Sequence, residues 1–159
     1  MNSHKPILVF GYGNPSRGDD ALGPALVSLL EQHLQTDHGL SQRVALLTDY
    51  QLQVEHAMDL VDREQVIFTD ASLSAEEPFA FSRLEAEKDT SYTTHAMSPA
   101  AILHVYQQLH DEPAPSCSLL SIRGRMFELG QPLSATAEAN LRASYRFLIK
   151  QLSGNNREP

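Results

Sequence analysis

Two adjacent carboxylates, Asp19 and Asp20, stand in the stretch Gly11-Tyr12-Gly13-Asn14-Pro15-Ser16-Arg17-Gly18-Asp19-Asp20-Ala21-Leu22-Gly23-Pro24. A third, Asp70, closes the run Val66-Ile67-Phe68-Thr69, and His95 lies just ahead of Ser98-Pro99. Asp20, Asp70 and His95 together offer two carboxylate oxygens and an imidazole. That mixed donor set suits a first-row divalent ion such as nickel, zinc or iron. A carboxylate near a helix N-terminus is favoured in its ionised form, which a metal ligand must adopt. Each residue also has a plainer reading. Asp19 fits a helix cap or turn, Asp70 fits an Asx-turn ending a strand, and His95 alone fits an exposed loop.

Other chemistries find less support. Gly11-x-Gly13 after a strand invites a dinucleotide, but the third glycine of G-x-G-x-x-G would fall on Ser16, and the acidic pair would repel a pyrophosphate. No Gly-Lys-Ser/Thr turn, H-E-x-x-H or C-x-x-C occurs. Cys117 sits inside an apolar run, where a free cysteine acts as a small hydrophobe. Arg17, Arg123 and Arg125 are able to meet a substrate carboxylate, although solvated arginines are the common case. His104 reads as a helix-face residue, and His4, His33, His38, His56 and His110 read as surface positions.

The elements that must carry these residues alternate between β and α. Ile7-Leu8-Val9-Phe10 is short and β-rich enough for a buried strand, spanning about Pro6 to Gly11. Leu22, Leu26, Leu29, Leu30 and His33 set one face of a helix running from near Asp20 to about Leu34, with Pro24 tolerated in its first turn. After a polar connection from Leu34 to Gln42, Val44-Ala45-Leu46-Leu47 predicts a second strand ending at Thr48-Asp49. A short helix follows at Val54 to Val61, a third strand at Val66-Ile67-Phe68, and an edge strand at Phe79 to Leu84. Glu85 to Thr94 reads as a loop. A helix from Ser98-Pro99 carries Ile102, Leu103, Tyr106 and Leu109 inward, and Cys117 to Ile122 forms a fifth strand. The last helix begins after Ser134 as N-cap and carries Ala137, Leu141, Tyr145, Leu148 and Ile149.

This pattern predicts a single α/β domain over 1–152, a mostly parallel five-stranded twisted sheet with helices on both faces, and a disordered tail over 153–159. Sites in such sheets form outside the carboxyl ends of the strands. Asp19, Asp20 and Asp70 follow strand ends, and the loop holding His95 can return to the same edge. Carboxylate and imidazole donors are therefore expected to converge on one rim.

The 159 residues are enough for a core without staples. A formal charge of -8 argues against nucleic acid and against an anionic membrane surface. A single cysteine forms no internal disulfide, which favours a reducing cytoplasm. No signal segment or membrane span is legible.

Gly11-Tyr12-Gly13-Asn14 followed by Asp19-Asp20-Ala21-Leu22-Gly23 resembles the N-terminal signature of the nickel-iron hydrogenase maturation endopeptidases. Val66 to Ala71 resembles that family's strand ending in Asp-Ala, His95 its histidine at the head of a helix, and Leu133 to Ala139 its closing helix start. The resemblance implies a protease that trims the C-terminal extension of a hydrogenase large-subunit precursor after nickel delivery, with nickel as the recognition feature. Asp20, Asp70 and His95 would be the metal-facing and catalytic residues, the nickel would arrive with the precursor, and a monomer is expected. Family members often have Glu where Asp20 stands. Many also have glycines after the strand-two aspartate, whereas this chain reads Asp49-Tyr50-Gln51-Leu52-Gln53. Ile122-Arg123-Gly124-Arg125 resembles the branch serving soluble, cofactor-linked hydrogenases. Two other readings remain open: a metal-dependent hydrolase of another substrate, and a non-catalytic metal- or peptide-binding module.

Overall fold

The computed structural model describes residues 5–88 and 97–154. Five strands form one sheet: β1 (Ile7–Tyr12), β2 (Val44–Asp49), β3 (Gln65–Ser72), β4 (Phe79–Arg83) and β5 (Ser116–Arg123). Their spatial order is β2-β1-β3-β5-β4. The β1–β2, β1–β3 and β3–β5 pairs are parallel, and only β4 runs antiparallel, against β5. Among the described residues the α-helices are α1 (Leu22–Leu34), α2 (His38–Ser41), α3 (Pro99–His110) and α4 (Ala135–Ser153). This is the doubly covered α/β architecture that the sequence pattern predicts.

The central strands are buried on both faces, so they read as continuous apolar runs. Val9, Ile67 and Leu120 join α1 and α4 in one core. Leu8, Phe10, Val66 and Phe68 form the other with α3 and the segment around Leu52, Ala57 and Leu60. Successive side chains on a strand alternate faces, and that period of two divides the cores.

Several boundaries differ from the sequence reading. Asp20 lies in a 3-10 turn, Gly18–Ala21, and α1 begins only at Leu22. The segment Val54–Leu60 is a 3-10 helix. The polar connection holds the short α2, capped where the Asp37 side chain accepts from the Leu40 amide. β3 runs on to Ser72, because parallel pairing with β5 continues through Asp70, Ala71 and Ser72. Leu109 is 61% exposed, since the inward face of α3 passes instead through Ile102, Leu103 and Tyr106. Ser98 and Ser134 cap α3 and α4 by accepting from Ala101 and Ala137. Residues 155–159 of the expected tail lie outside the described residues, and Ser153 closes α4. Among the described residues no helix is long and apolar enough to cross a membrane.

Close backbone packing aims the first turn. A Cβ on Gly23 would stand 2.6 Å from the Thr69 carbonyl oxygen and 2.7 Å from that of Tyr12. Gly13 adopts φ +143°, and a side chain there would run into the backbone oxygen of Asp20. The start of α1 thus rests directly on the ends of β1 and β3, and Asp20 is carried to the sheet edge with little freedom to shift.

Candidate functional site

The two carboxylates of the first turn have opposite fates. Asp19 is fully buried. Its Oδ2 accepts from the Arg125 amide at 2.8 Å, the Met126 amide at 3.1 Å and the Ser134 hydroxyl at 2.8 Å, and its Oδ1 accepts from the Ser134 amide at 2.8 Å. Burial opposes its charge, but the hydrogen bonds from Ser134, Arg125 and Met126 outweigh it and lower its pKa below the ordinary value. Asp19 is therefore a buried clamp joining the first turn to the segment between β5 and α4. Its partners lie beyond the local reach of a cap.

Asp20 faces outward to the rim. Its Oδ2 accepts from the Asn14 amide at 2.9 Å and lies 3.7 Å from the Arg17 guanidinium. Arg17 also lies over the Phe127 ring, 5.8 Å from its centroid.

Asp70 sits one position past Thr69, which pairs with Gly11, so Asp70 comes level with Tyr12 on the neighbouring strand. The Tyr12 hydroxyl donates to Asp70 Oδ2 at 3.0 Å, in place of the local Asx-turn. Asp70 Oδ1 is buried with no hydrogen-bond partner among the described residues. Burial pushes the Asp70 carboxyl up to about 6, the Tyr12 hydrogen bond lowers it, and the Asp20 charge raises it further. The effect of Asp20 on Asp70 places the two within electrostatic reach at one edge of the sheet. Burial, together with the Asp70 charge and hydrogen bond, also drives the Tyr12 phenol well above its usual value, so it stays a proton donor.

The row extends one strand further. Tyr12 pairs with Asp49 at the end of β2. Asp49 Oδ2 lies 3.0 Å from His56 Nε2, and the Tyr50 amide donates to Oδ1 at 2.7 Å. His56 Nδ1 accepts from the Gln53 amide at 2.8 Å, which leaves the proton on Nε2 to face Asp49. His56 is buried against Phe10, with ring centroids 4.8 Å apart, so the expectation of a surface histidine is corrected. Gly13, Pro15, Pro24, Thr48, Asp49 and Tyr50 line an open cleft of about 290 Å³ beside this row.

The structure thus brings Asp20 and Asp70 together, while His95 lies outside the described residues. Among the described residues no three metal-ligating side chains cluster. Cys117 is buried in β5, and burial raises its thiol to about 12, as befits an inert hydrophobe. Arg123 donates to the Ala75 carbonyl and Arg125 pairs with Glu77 at 2.6 Å, so both serve the fold around β4. Sequence reasoning missed Tyr12, Asp49 and His56 as members of the rim. The available signal was the period of two, which puts Leu8, Phe10 and Tyr12 on the same face as Phe68 and Asp70.

No family model matches the chain, and no curated protein matches it. Solved structures do. The NiFe hydrogenase maturation protease HycI from Thermococcus kodakarensis KOD1 superposes with a TM-score of 0.69 at 18% identity, over 95% of this chain and 94% of that one. The hydrogenase maturating endopeptidase HybD from E. coli gives 0.68 at 24% identity, over 92% and 91%. An endopeptidase from Escherichia coli gives 0.67 at 25% identity, over 96% of each chain. In fold, the chain belongs with the hydrogenase maturation proteases.

Proposed function

We propose that this chain is an endopeptidase that removes the C-terminal extension of a nickel-loaded hydrogenase large-subunit precursor. The observation that carries this reading is the state of Asp70. It is a half-buried carboxylate whose Oδ1 is shut off from solvent with no hydrogen-bond partner among the described residues, pushed up to about 6 first by burial and then by the neighbouring charge of Asp20, at the carboxyl edge of this fold. Two carboxylates placed to repel each other are relieved by a shared cation. The unpartnered Oδ1 fits a ligand's role, and oxygen donors suit a first-row divalent ion. Asp20, Asp70 and His95 would hold the substrate's nickel, with further ligands supplied by the precursor itself.

The remaining chemistry belongs to the protein's own groups. Arg17 offsets the Asp20 charge until a substrate arrives, and the Asn14 amide keeps Asp20 aimed at the rim. Tyr12 holds Asp70, and the row ending at Asp49 gives an extended peptide a polar edge to lie along. A bound nickel ion would orient the scissile segment and polarise its carbonyl.

Incubating the purified chain with nickel-loaded and nickel-free precursor, with mass spectrometry of the products, tests this. Shortening of the loaded form alone is expected. Retention of the precursor without shortening would point to a binding module instead, and neither outcome to a hydrolase of another substrate.

A further inference from the structure

We propose that Tyr12 is a positioning residue that engages one oxygen of Asp70 and reserves the other, Oδ1, for a divalent cation. This rests on the reading of Asp70 as one arm of a cation site. The register of β1 against β3 sets Tyr12 beside Asp70, and its hydroxyl reaches Oδ2 at 3.0 Å. The ring is buttressed edge-on by Phe10, at 6.2 Å between centroids, and Phe10 stacks in turn on Phe68 at 5.9 Å. The donor therefore stands on a packed aromatic column. Oδ1 is buried and has no partner among the described residues. The two oxygens of one carboxylate are thus made unequal, one occupied and one open.

The chemical consequence is a preference among ions. Large cations accept both oxygens of a carboxylate, whereas a small ion with strict geometry is served by one. With Oδ2 engaged by a phenol, Asp70 offers a single oxygen and selects against two-oxygen binding. Tyr12→Phe keeps the ring, frees Oδ2 and removes that selection.

The full chain is titrated calorimetrically with Ni²⁺ and with Cd²⁺, as wild type, Tyr12→Phe and Asp70→Asn, with melting curves to verify folding. Asp70→Asn should lose binding of both metals. Tyr12→Phe should move the Ni²⁺-to-Cd²⁺ affinity ratio about tenfold toward Cd²⁺, the size expected when a residue that orients a ligand is removed. Replacing Tyr12 with para-aminophenylalanine, which keeps a donor at similar reach, should restore the ratio. A ratio unchanged within about twofold in folded Tyr12→Phe would overturn the proposal. So would a wild type that binds neither metal. A wild type that binds metal but trims no precursor leaves Tyr12 assigned and removes the peptidase reading.

Discussion

Asp19 and Asp70 are the same side chain in contrasting surroundings. Both stand at the carboxyl edge of one sheet, Asp19 fully buried and Asp70 half-buried. Asp19 receives four donors, and its pKa falls below the ordinary value. Asp70 receives one donor, and its carboxyl rises to about 6. Saturated donors turn a buried charge into a structural joint, and a shortage of donors leaves it ready for an outside cation. Under the proposed function, the comparison separates a carboxylate that holds from one that acts within a single rim.

The largest effect that would sharpen this contrast falls on the acting side. Asp20→Ala and His95→Ala should each lower trimming of nickel-loaded precursor by more than about a hundredfold, while the melting temperature stays close to wild type. Normal processing by either variant would break the division. Next comes Asp19→Ala, which strands three amides and a hydroxyl. Urea unfolding should show a loss of about 3–4 kcal/mol. The sign with pH follows from the lowered value. The stability given by Asp19 is present above the ordinary carboxylate range and is lost as pH falls through the folded value.

Ser134→Ala removes one donor to Asp19 and the α4 cap together, so a smaller loss of about 2 kcal/mol is expected by the same measurement. Asp70→Asn should move the other way in metal-free protein. A carboxyl raised to about 6 supports the fold while protonated, and that support is lost as pH rises from about 4 through 6. The amide variant should therefore be more stable than wild type by about 1–2 kcal/mol at pH 7.5, with the gain gone near pH 4. A destabilised variant at neutral pH would show that Asp70, like Asp19, is a joint.

How legible all this was in the sequence depended on the range of the forces involved. The strands and the two long helices announced themselves through local apolar periodicity, and the caps at Ser98 and Ser134 through residue type and place. Asp20 and Asp70 were legible as rim residues because strand ends in a parallel sheet share an edge. The partners were not. Tyr12 meets Asp70 only once β1 and β3 lie side by side, and Asp19 finds Ser134 across 115 positions of chain. His56 looked like a surface residue because nothing local shows that Phe10 and Asp49 enclose it. The 3-10 turns were invisible for a related reason, since the close approach of Gly23 to Thr69 and Tyr12 decides where α1 starts.

The bonds from Asp19 to Arg125, Met126 and Ser134 also order events during synthesis. A ribosome delivers the first turn early and its anchors more than a hundred residues later. Until those amides emerge, the loop presenting Asp20 lacks the attachments that set its shape. A nascent chain halted after α3 would thus carry the motif without a working rim, and competence to meet a substrate arrives only with the closing helix.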